Sequence, residues 1–267
     1  GTGAIPKRMM VGPRPWPLRP WAGYHYEMLR WYDHWLKGMD TRVMEGAPIQ
    51  LYIHGDDRRR SEQVWPKQRT QWREYFLGGP ASGREGKLLD AAGGEQTRRY
   101  EFDGLAAEAD LGQPRITYWS EPMAKDMELT GPLALHLNAS SSAPDIDWLV
   151  AVVDQAPDGT HRELCKGWLR ASHRKTDPAK STPSQPWHPH LEAEPLKPGT
   201  TTELAIEIWP ICNVFKAGHR IRLEIANSDS VIAANGRPHV WIRAKATNAI
   251  HEGGSKPSKL VVPVIPR

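Results

Sequence analysis

The period of the apolar residues changes near residue 48, and this change constrains the fold more than any other feature of the sequence. Between Tyr24 and Lys37, apolar side chains recur every three or four residues, which is typical of a helix with one apolar stripe. Further along, apolar and polar residues alternate, as in 133–137 and 221–225. Alternation places side chains on the two faces of a strand. The sequence therefore predicts a short helical segment followed by a sheet-rich domain.

The predicted helix carries an unusual amount of aromatic surface. Its apolar stripe consists of Met28, Trp31, Tyr32, Trp35 and Leu36. Gly38 stands where a helix commonly ends in the left-handed conformation, and Lys37 is favourable at the negative end of the helix dipole. Burying one large side chain contributes about 1.5–3 kcal/mol. The helix is therefore expected to fold back onto the rest of the chain or to bind a partner.

The segments around this helix set the predicted domain boundary. Arg8–Val11 is predicted to be a short buried strand, and the proline-rich residues 13–20 are predicted to be a loop that cannot be helical. Residues 44–48 are predicted to be a linker. The predicted domains are residues 1–46 and residues 47–267.

The second domain is predicted to be built from many short strands. These are residues 49–53, 132–138, 148–154, 161–171, 203–209, 219–226, 239–244 and 259–265. Glycine, proline and aspartate turns join them, and almost no helical pattern intervenes, which indicates an antiparallel sandwich or jelly roll. The proline-rich residues 176–199 are predicted to form a surface loop across this sandwich.

Charge and composition exclude several classes of protein. The formal charge is +4, but the only basic run, Asp56–Arg60, begins with two aspartates and lies in no nucleic-acid recognition motif. No apolar stretch is long enough to cross a bilayer, and residues 1–20 lack a signal-peptide layout. Neither nucleic acid nor membrane is therefore expected as a partner, and the cytoplasm is the favoured compartment. Cys165 and Cys212 are interpreted as small buried hydrophobes, with a disulfide left open.

Four segments, taken together, carry a resemblance to a known family. They are "RWYDHWLKG" (30–38), "SEPMAKDMELTGP" (120–132), "DQAPDGT" with "LCKGWLRASHR" (154–174), and "EPLKPGTTTELAIEIWPICNVFKAGHRIRLEIANS" (194–228). In content and order they resemble the cocaine-esterase and Xaa-Pro dipeptidyl-peptidase family of α/β-hydrolases.

This resemblance implies a fold, a role and a partner. Family members carry an α/β-hydrolase domain with a Ser-Asp-His triad, and a C-terminal jelly roll of the galactose-binding-like fold that helps to wall the substrate pocket. The chain is similar to the jelly roll and to the tail of the hydrolase domain, whose last strand would be Arg8–Val11. The resemblance therefore implies a mainly β, jelly-roll chain preceded by a short strand–helix remnant, with a hydrolase catalytic domain as its partner.

The catalytic residues of the family have no expected counterpart in this sequence. The G-x-S-x-G turn of such hydrolases is absent, and the segment 78–83, "GGPASG", has the wrong spacing. The family's serine and aspartate are expected upstream of Gly1. In the family's G-P-W-x-H pattern, Gly12 and Pro13 match, but Trp16 stands at the histidine position. His25, the next histidine, is interpreted as a helix-surface residue, and no catalytic residue is assigned.

Two polar clusters are candidates for a metal site. His188, His190, Glu192 and Glu194 alternate, and in a strand they would share one face and could chelate a metal. They lie in the proline-rich segment, so a polar loop is the favoured interpretation. Asp145 and Asp147 are interpreted as bonding the turn before the strand at Trp148 rather than as paired acids or calcium ligands. No metal or cofactor is assigned.

The remaining candidates receive structural interpretations. His34 is interpreted as a packing or helix-surface residue, and His219 as a turn residue before a core strand. Four tryptophans alternate with polar residues in predicted strands: Trp148, Trp168, Trp209 and Trp241. They are interpreted as core or interface residues, with stacking on sugar rings as the alternative.

Two functional hypotheses follow. The first is a non-catalytic C-terminal domain of a serine hydrolase whose parent cleaves an ester or an Xaa-Pro amide; the domain walls the substrate pocket and stabilises the assembly. The second is a stand-alone carbohydrate-binding jelly-roll module. A homo-oligomer formed through the Met28–Leu36 helix is a further expectation.

Overall fold

The structure is a computed structural model. It describes residues 8–11, 14–17, 19–80, 83–106, 115–228 and 241–267, with residues 8–24 described by secondary structure alone. Among the described residues, unit 1 comprises those up to residue 50 and residues 61–63, and unit 2 comprises residues 51–60 and those from 64 onward. The predicted domain boundary between residues 46 and 47 stays a prediction.

Unit 1 contains a small sheet and the aromatic helix. Strand β1 (Arg8–Val11) pairs antiparallel with β2 (Arg14–Pro17), and helix α1 spans Arg19–Lys37. The predicted first strand is formed, whereas its predicted burial lies outside what is described for these residues. The predicted loop over residues 13–20 is wrong, because β2 and the first turn of α1 occupy it. Pro20 fits in that turn since the amides of a first turn have no intrahelical acceptor.

Helix α1 ends as the sequence predicts. Gly38 adopts a φ of 67°, and its amide donates to the carbonyl of His34 at 3.1 Å, which is the hydrogen bond of a left-handed C-cap. The amide of Met39 donates to the carbonyl of Asp33, also at 3.1 Å. None of the described helices has the length and apolar character that a membrane crossing requires.

The remaining strands have the following bounds. They are β3 (Ile49–Ile53), β4 (Arg58–Glu62), β5 (Gln71–Gly78), β6 (Glu85–Leu89), β7 (Gln96–Asp103), β8 (Ile116–Trp119), β9 (Met127–Ser141), β10 (Asp147–Gln155), β11 (His161–Arg170), β12 (Thr202–Phe215), β13 (Arg220–Ala226), β14 (Lys245–Glu252) and β15 (Lys259–Ile265). A short 3₁₀ turn, Ala171–His173, follows β11. Strands β3 and β4 pair with each other.

Strands β5 to β15 of unit 2 form a closed sandwich. Their order is β12-β11-β10-β13-β8-β6-β5-β15-β9-β14-β7, and β12 also pairs with β9. The β9–β12 ladder runs from Met127 to Ala139, whereas β11 and β12 share one register pair, Gly167 with Ile208. We call this junction between β11 and β12 the glycine seam. A β-carbon on Gly167 would lie 2.2 Å from the carbonyl oxygen of Glu207, so only glycine fits there. The prediction of a mainly β jelly roll is confirmed.

The core lies between the alternating faces of these strands. Leu133, Leu135 and Leu137 of β9 and Trp148 of β10 are fully buried. Strand β13 alternates as predicted, with Ile221, Leu223 and Ile225 all fully buried. Each of these predicted strands therefore buries one face in the core of the sandwich.

The predicted strand over residues 239–244 is not formed in its described part. Residues 241–244 are irregular, and β14 begins only at Lys245. The amide of Ile242 donates to the Asp147 carboxylate at 2.8 Å, and the Trp241 indole donates to the carbonyl of Gly104 at 3.0 Å. Side-chain hydrogen bonds thus take the place of a strand ladder here.

Candidate functional site

The aromatic stripe of α1 is open to solvent. Trp31 is 47% exposed, Trp35 57% and Leu36 77%. The Trp31 and Trp35 rings pack at 5.8 Å between centroids, and the His34 ring meets the edge of Trp35 at 5.1 Å. His34 also donates from Nδ1 to the carbonyl of Met39 at 3.2 Å, so its predicted structural role is confirmed. Contiguous exposed apolar side chains of this kind are typical of interaction surfaces.

The residues that the family pattern singles out give no catalytic geometry in the described chain. His25 is an exposed residue of α1, as expected. Gly12 and Pro13 lie outside the described residues, as do Ala81 and Ser82 of the 78–83 segment. Trp16 is described only as a residue of β2.

The histidine-rich loop is held together by its own hydrogen bonds. His188 contacts the carbonyl oxygens of Lys175 at 3.1 Å and Ala205 at 2.8 Å through its two ring nitrogens. The His190 ring packs 5.7 Å from His188 and 5.4 Å from His173. Burial lowers the pKa of His190, and the nearby His188 and His173 lower it further. A polar loop, as favoured from the sequence, describes this segment.

Glu194 pairs with two cationic side chains near the start of the loop. Its carboxylate lies 3.4 Å from Arg174 Nη2 and 3.8 Å from Lys175 Nζ, so it pairs with cationic side chains. In the part of the chain that the structure describes, no three His, Cys, Asp or Glu side chains are arranged to hold a metal ion.

Asp145 and Asp147 bond the backbone and side chains around them, as predicted. The Asp145 carboxylate accepts hydrogen bonds from the Ile146 amide at 3.0 Å and from the Ser172 amide and hydroxyl at 2.9 and 2.7 Å. Asp147 forms a two-pronged ion pair with Arg170 at 2.9 and 3.1 Å. The Arg170 pair was not predicted, because the two residues lie 23 positions apart.

His219 forms a half-buried ion pair that the sequence interpretation missed. Its Nδ1 donates to Oδ1 of Asp154 at 2.7 Å, and Asn213 donates to the other oxygen of that carboxylate at 3.2 Å. A base oriented by a carboxylate is half of a hydrolytic triad. Among the described residues, no hydroxyl or thiol hydrogen-bonds to Nε2 of His219, so the pair secures the turn into β13.

A second imidazole, His251, contacts three hydroxyl groups. Its Nε2 lies 3.1 Å from the hydroxyls of Ser140 and Thr201, and its Nδ1 lies 3.2 Å from that of Thr97. Burial lowers the pKa of His251, and the charge of Arg99 lowers it further, which favours the neutral ring. A neutral hydroxyl at Nδ1 cannot stabilise an imidazolium as a triad carboxylate does. The cluster cross-links β7, β9 and β14.

The four tryptophans of the predicted strands do not share one environment. Trp148 is fully buried, and Trp168 and Trp241 are half-buried, in line with the core interpretation. Trp209 is 67% exposed, so it is not a core residue, and its place in an interface stays a prediction. The β9–β12 register shifts between Ile208 and Ile211 at Pro210, which has no amide to donate, and this bulge turns Trp209 outward.

Both cysteines are free. Burial raises the pKa of the Cys165 thiol, and it raises that of Cys212 to about 11. Neither thiol is poised as a nucleophile, since nucleophilic attack requires the thiolate.

Comparison with known proteins finds similarity along most of the chain. The family model described as "X-Pro dipeptidyl-peptidase C-terminal non-catalytic domain" matches residues 41–261. Cocaine esterase of a Rhodococcus strain is 28% identical over 88% of the chain, and the match covers 45% of that enzyme.

Two solved structures share the fold. A CocE/NonD family hydrolase from Staphylococcus aureus superposes with a TM-score of 0.74 at 21% identity, over 92% of the chain and 46% of the hydrolase. An aminopeptidase from a marine sediment thaumarchaeon superposes with a TM-score of 0.71 at 17% identity, over 96% of the chain and 46% of that protein. The chain thus spans less than half the length of the proteins it matches.

Proposed function

Because the chain belongs to the X-Pro dipeptidyl-peptidase C-terminal non-catalytic domain family, we propose that it serves as the supporting domain of a serine hydrolase. In this proposal the catalytic groups belong to an α/β-hydrolase domain. The observation that carries the proposal is the family match over residues 41–261, which includes all of the described sandwich up to β15.

The proposed parent reaction is acyl transfer from an ester or from an Xaa-Pro amide. The name of one matched relative, a cocaine esterase, supports ester cleavage, and the description of the matched family supports cleavage of Xaa-Pro amides. A serine hydrolase performs it with a nucleophile, a base and an oxyanion hole. The jelly roll is proposed to wall the pocket and to stabilise the assembly.

The aromatic stripe is the proposed contact with the catalytic domain. It presents Trp31, Tyr32, Trp35 and Leu36, each at least 47% exposed. Tryptophan and tyrosine at the centre of an interface carry much of its binding free energy. A catalytic domain that covers this stripe would therefore bury the aromatic side chains that the sequence predicts to be covered. A second copy of the chain on the same stripe, forming a homo-oligomer, is the competing occupant.

The first experiment tests whether the chain is catalytic. The purified chain is assayed with p-nitrophenyl acetate and with an Xaa-Pro anilide, before and after a serine-directed phosphonate. We expect no saturable, phosphonate-sensitive hydrolysis. The variant Ser140→Ala is the matched control, because Ser140 is the serine of the His251 cluster, with its hydroxyl 3.1 Å from Nε2. Saturable turnover that is lost in Ser140→Ala would contradict the proposal.

The second experiment tests the aromatic stripe. The full chain is co-expressed with the hydrolase domain of the Rhodococcus cocaine esterase, and complex formation is measured by size-exclusion chromatography with light scattering. The double variant Trp31→Ser/Trp35→Ser should lose the complex, whereas Trp209→Ser, an exposed tryptophan of β12, should retain it. If the chain forms a dimer that the same double variant abolishes, and no complex forms, the stripe binds a second copy instead.

A further inference from the structure

A groove opens on unit 2 where β6, β8 and the start of β13 meet. Six side chains line it: Pro80, Glu85, Lys87, Trp119, Glu121 and Arg220. Its volume of about 370 Å³ lies within the range of roughly 300–1,000 Å³ that small-molecule sites occupy. A second depression, beside Leu149 and Lys166, holds only about 20 Å³, which is room for about one water molecule. We call the larger cavity the Trp119 groove.

Trp119 presents an aromatic surface in a fixed position. Its neighbour Tyr118 is fully buried, so the alternation of the strand turns Trp119 to the outer face. The guanidinium of Arg222, opposite Trp119 in the register, lies 5.6 Å from the ring centroid. Arg222 is itself held at 2.8 Å by both Gln155 and Glu224. The indole N–H forms no hydrogen bond with a described residue, so a donor remains available beside the ring.

A buried ion pair fixes one rim of the groove. Arg98, which is 1% exposed, pairs through Nε with Glu252 at 2.8 Å. Its two other nitrogens donate to the carbonyl of Pro80 at 2.8 Å and to that of Gly83 at 2.9 Å. The backbone at the rim is therefore held before any ligand arrives, which reduces the entropy lost on binding.

The charges of the groove are balanced. Lys87 Nζ lies 3.4 Å from one oxygen of Glu121, and Arg220 Nη1 lies 3.9 Å from the other. The carboxylate of Glu85 forms no hydrogen bond or ion pair with a described residue. Two cations and two anions thus face the same space, and a ligand with net charge of either sign would meet repulsion as well as attraction.

We propose that the Trp119 groove binds a neutral saccharide. One pyranose face would stack on the Trp119 ring, while ring hydroxyls accept hydrogen bonds from Lys87 and Arg220 and donate them to Glu85 and Glu121. Sugar hydroxyls donate and accept at adjacent carbons, which matches alternating ammonium, guanidinium and carboxylate groups. This inference concerns the jelly roll alone and is independent of the proposed role in a hydrolase.

The test uses the full purified chain and defined sugars. Methyl glycosides of galactose, glucose, mannose and N-acetylglucosamine are titrated by isothermal calorimetry, after a glycan array has ranked longer saccharides. We expect binding of at least one neutral saccharide and about tenfold weaker binding by Trp119→Ala. Trp209→Ala removes an exposed tryptophan outside the groove and should bind like the wild type. Glu85→Gln should also weaken binding, with an unchanged thermal unfolding midpoint.

A second measurement does not depend on the stability of a variant. In a nitrogen–proton correlation spectrum of the wild type, the Trp119 indole resonance, assigned through Trp119→Phe, should shift with sugar while that of Trp209 stays in place. The proposal is overturned if no neutral saccharide binds at millimolar concentration, or if binding survives Trp119→Ala. It is also overturned if a zwitterionic peptide such as glycylproline, and not a sugar, shifts the Trp119 resonance.

Discussion

Trp148 of unit 2 and the two tryptophans of the aromatic stripe in unit 1 lie in opposite environments. In unit 2, Trp148 lies in a strand with neighbours on both sides and is fully buried. In unit 1, Trp31 and Trp35 lie on a helix and remain 47% and 57% exposed. An apolar pattern thus identifies side chains that gain free energy from burial. The core of the sandwich covers Trp148, whereas the described chain leaves Trp31 and Trp35 exposed.

The largest loss of stability is expected from a substitution at Trp148. Trp148→Ala should lower the free energy of unfolding by about 3–5 kcal/mol, because it removes the largest fully buried side chain of the core. Urea unfolding followed by circular dichroism measures the loss. Trp148→Phe should cost clearly less, since Trp148 Nε1 is buried without a hydrogen-bond partner among the described residues. An equal loss in the two variants would contradict this account.

The second test concerns a buried ion pair instead of a buried apolar side chain. Glu252→Ala removes the carboxylate that balances the buried charge of Arg98, so the free energy of unfolding should fall by about 3–5 kcal/mol. Replacing both residues, as in Arg98→Met/Glu252→Leu, should recover much of this stability. Chemical denaturation of the single and double variants completes the cycle; a double variant as unstable as Glu252→Ala would show that the pair is not the origin of the loss.

A smaller loss is expected at the seam between β11 and β12. Gly167→Ala forces a β-carbon against the backbone of Glu207 and should lower the free energy of unfolding by about 1–3 kcal/mol. Gly94→Ala is the matched control, because a β-carbon there has no neighbour within 4 Å. If both substitutions leave the unfolding midpoint unchanged, the seam is more compliant than its geometry indicates.

A still smaller effect is expected from a surface ion pair of unit 2. The hydrogen bond from Lys216 holds the pKa of Asp56 below its ordinary value, partly offset by burial and supported by Arg267. The stabilisation is therefore complete above the ordinary carboxyl pKa and disappears as pH falls through the lowered folded-state value. Lys216→Met should reduce the melting temperature at pH 7 and converge with the wild type at low pH. A constant difference from pH 7 to pH 3 would contradict the linkage.

The smallest change in stability is expected on the aromatic stripe. Trp31→Ala and Trp35→Ala should each alter the free energy of unfolding of the chain by no more than about 0.5 kcal/mol, because both side chains are already exposed. The same denaturation experiment that registers Trp148→Ala provides the measurement. A loss as large as that of Trp148→Ala would remove the distinction between the two units.

The sequence predicted β13, whose inward face is purely apolar, but not β7 or β14, whose inward faces carry charged and polar residues. Strand β13 shows the simple alternation, whereas β7 and β14 contribute the buried Arg98, Asn248 and Glu252 to the interior. A pattern of apolar residues cannot reveal a strand whose inward positions are charged. The partner that makes such burial tolerable lies 154 positions away along the chain.

The candidate sites were predictable only where a motif is local. The glycine after α1 and the turn carboxylate Asp145 follow from neighbouring residues, and both predictions are confirmed. The Trp119 groove gathers residues between Pro80 and Arg220, and the Asp154–His219 pair spans 65 positions. These arrangements depend on strand order and register, which no single stretch of sequence encodes.

The glycine seam between β11 and β12 has a consequence for how the sandwich opens. One register pair joins these two strands, while β12 is held to β9 along a twelve-pair ladder. Local opening starts where the fewest bonds have to break. Amide protons at this junction should consequently exchange with deuterium ahead of those in β9. In such an opening β12 stays paired with β9, while β11 separates from β12.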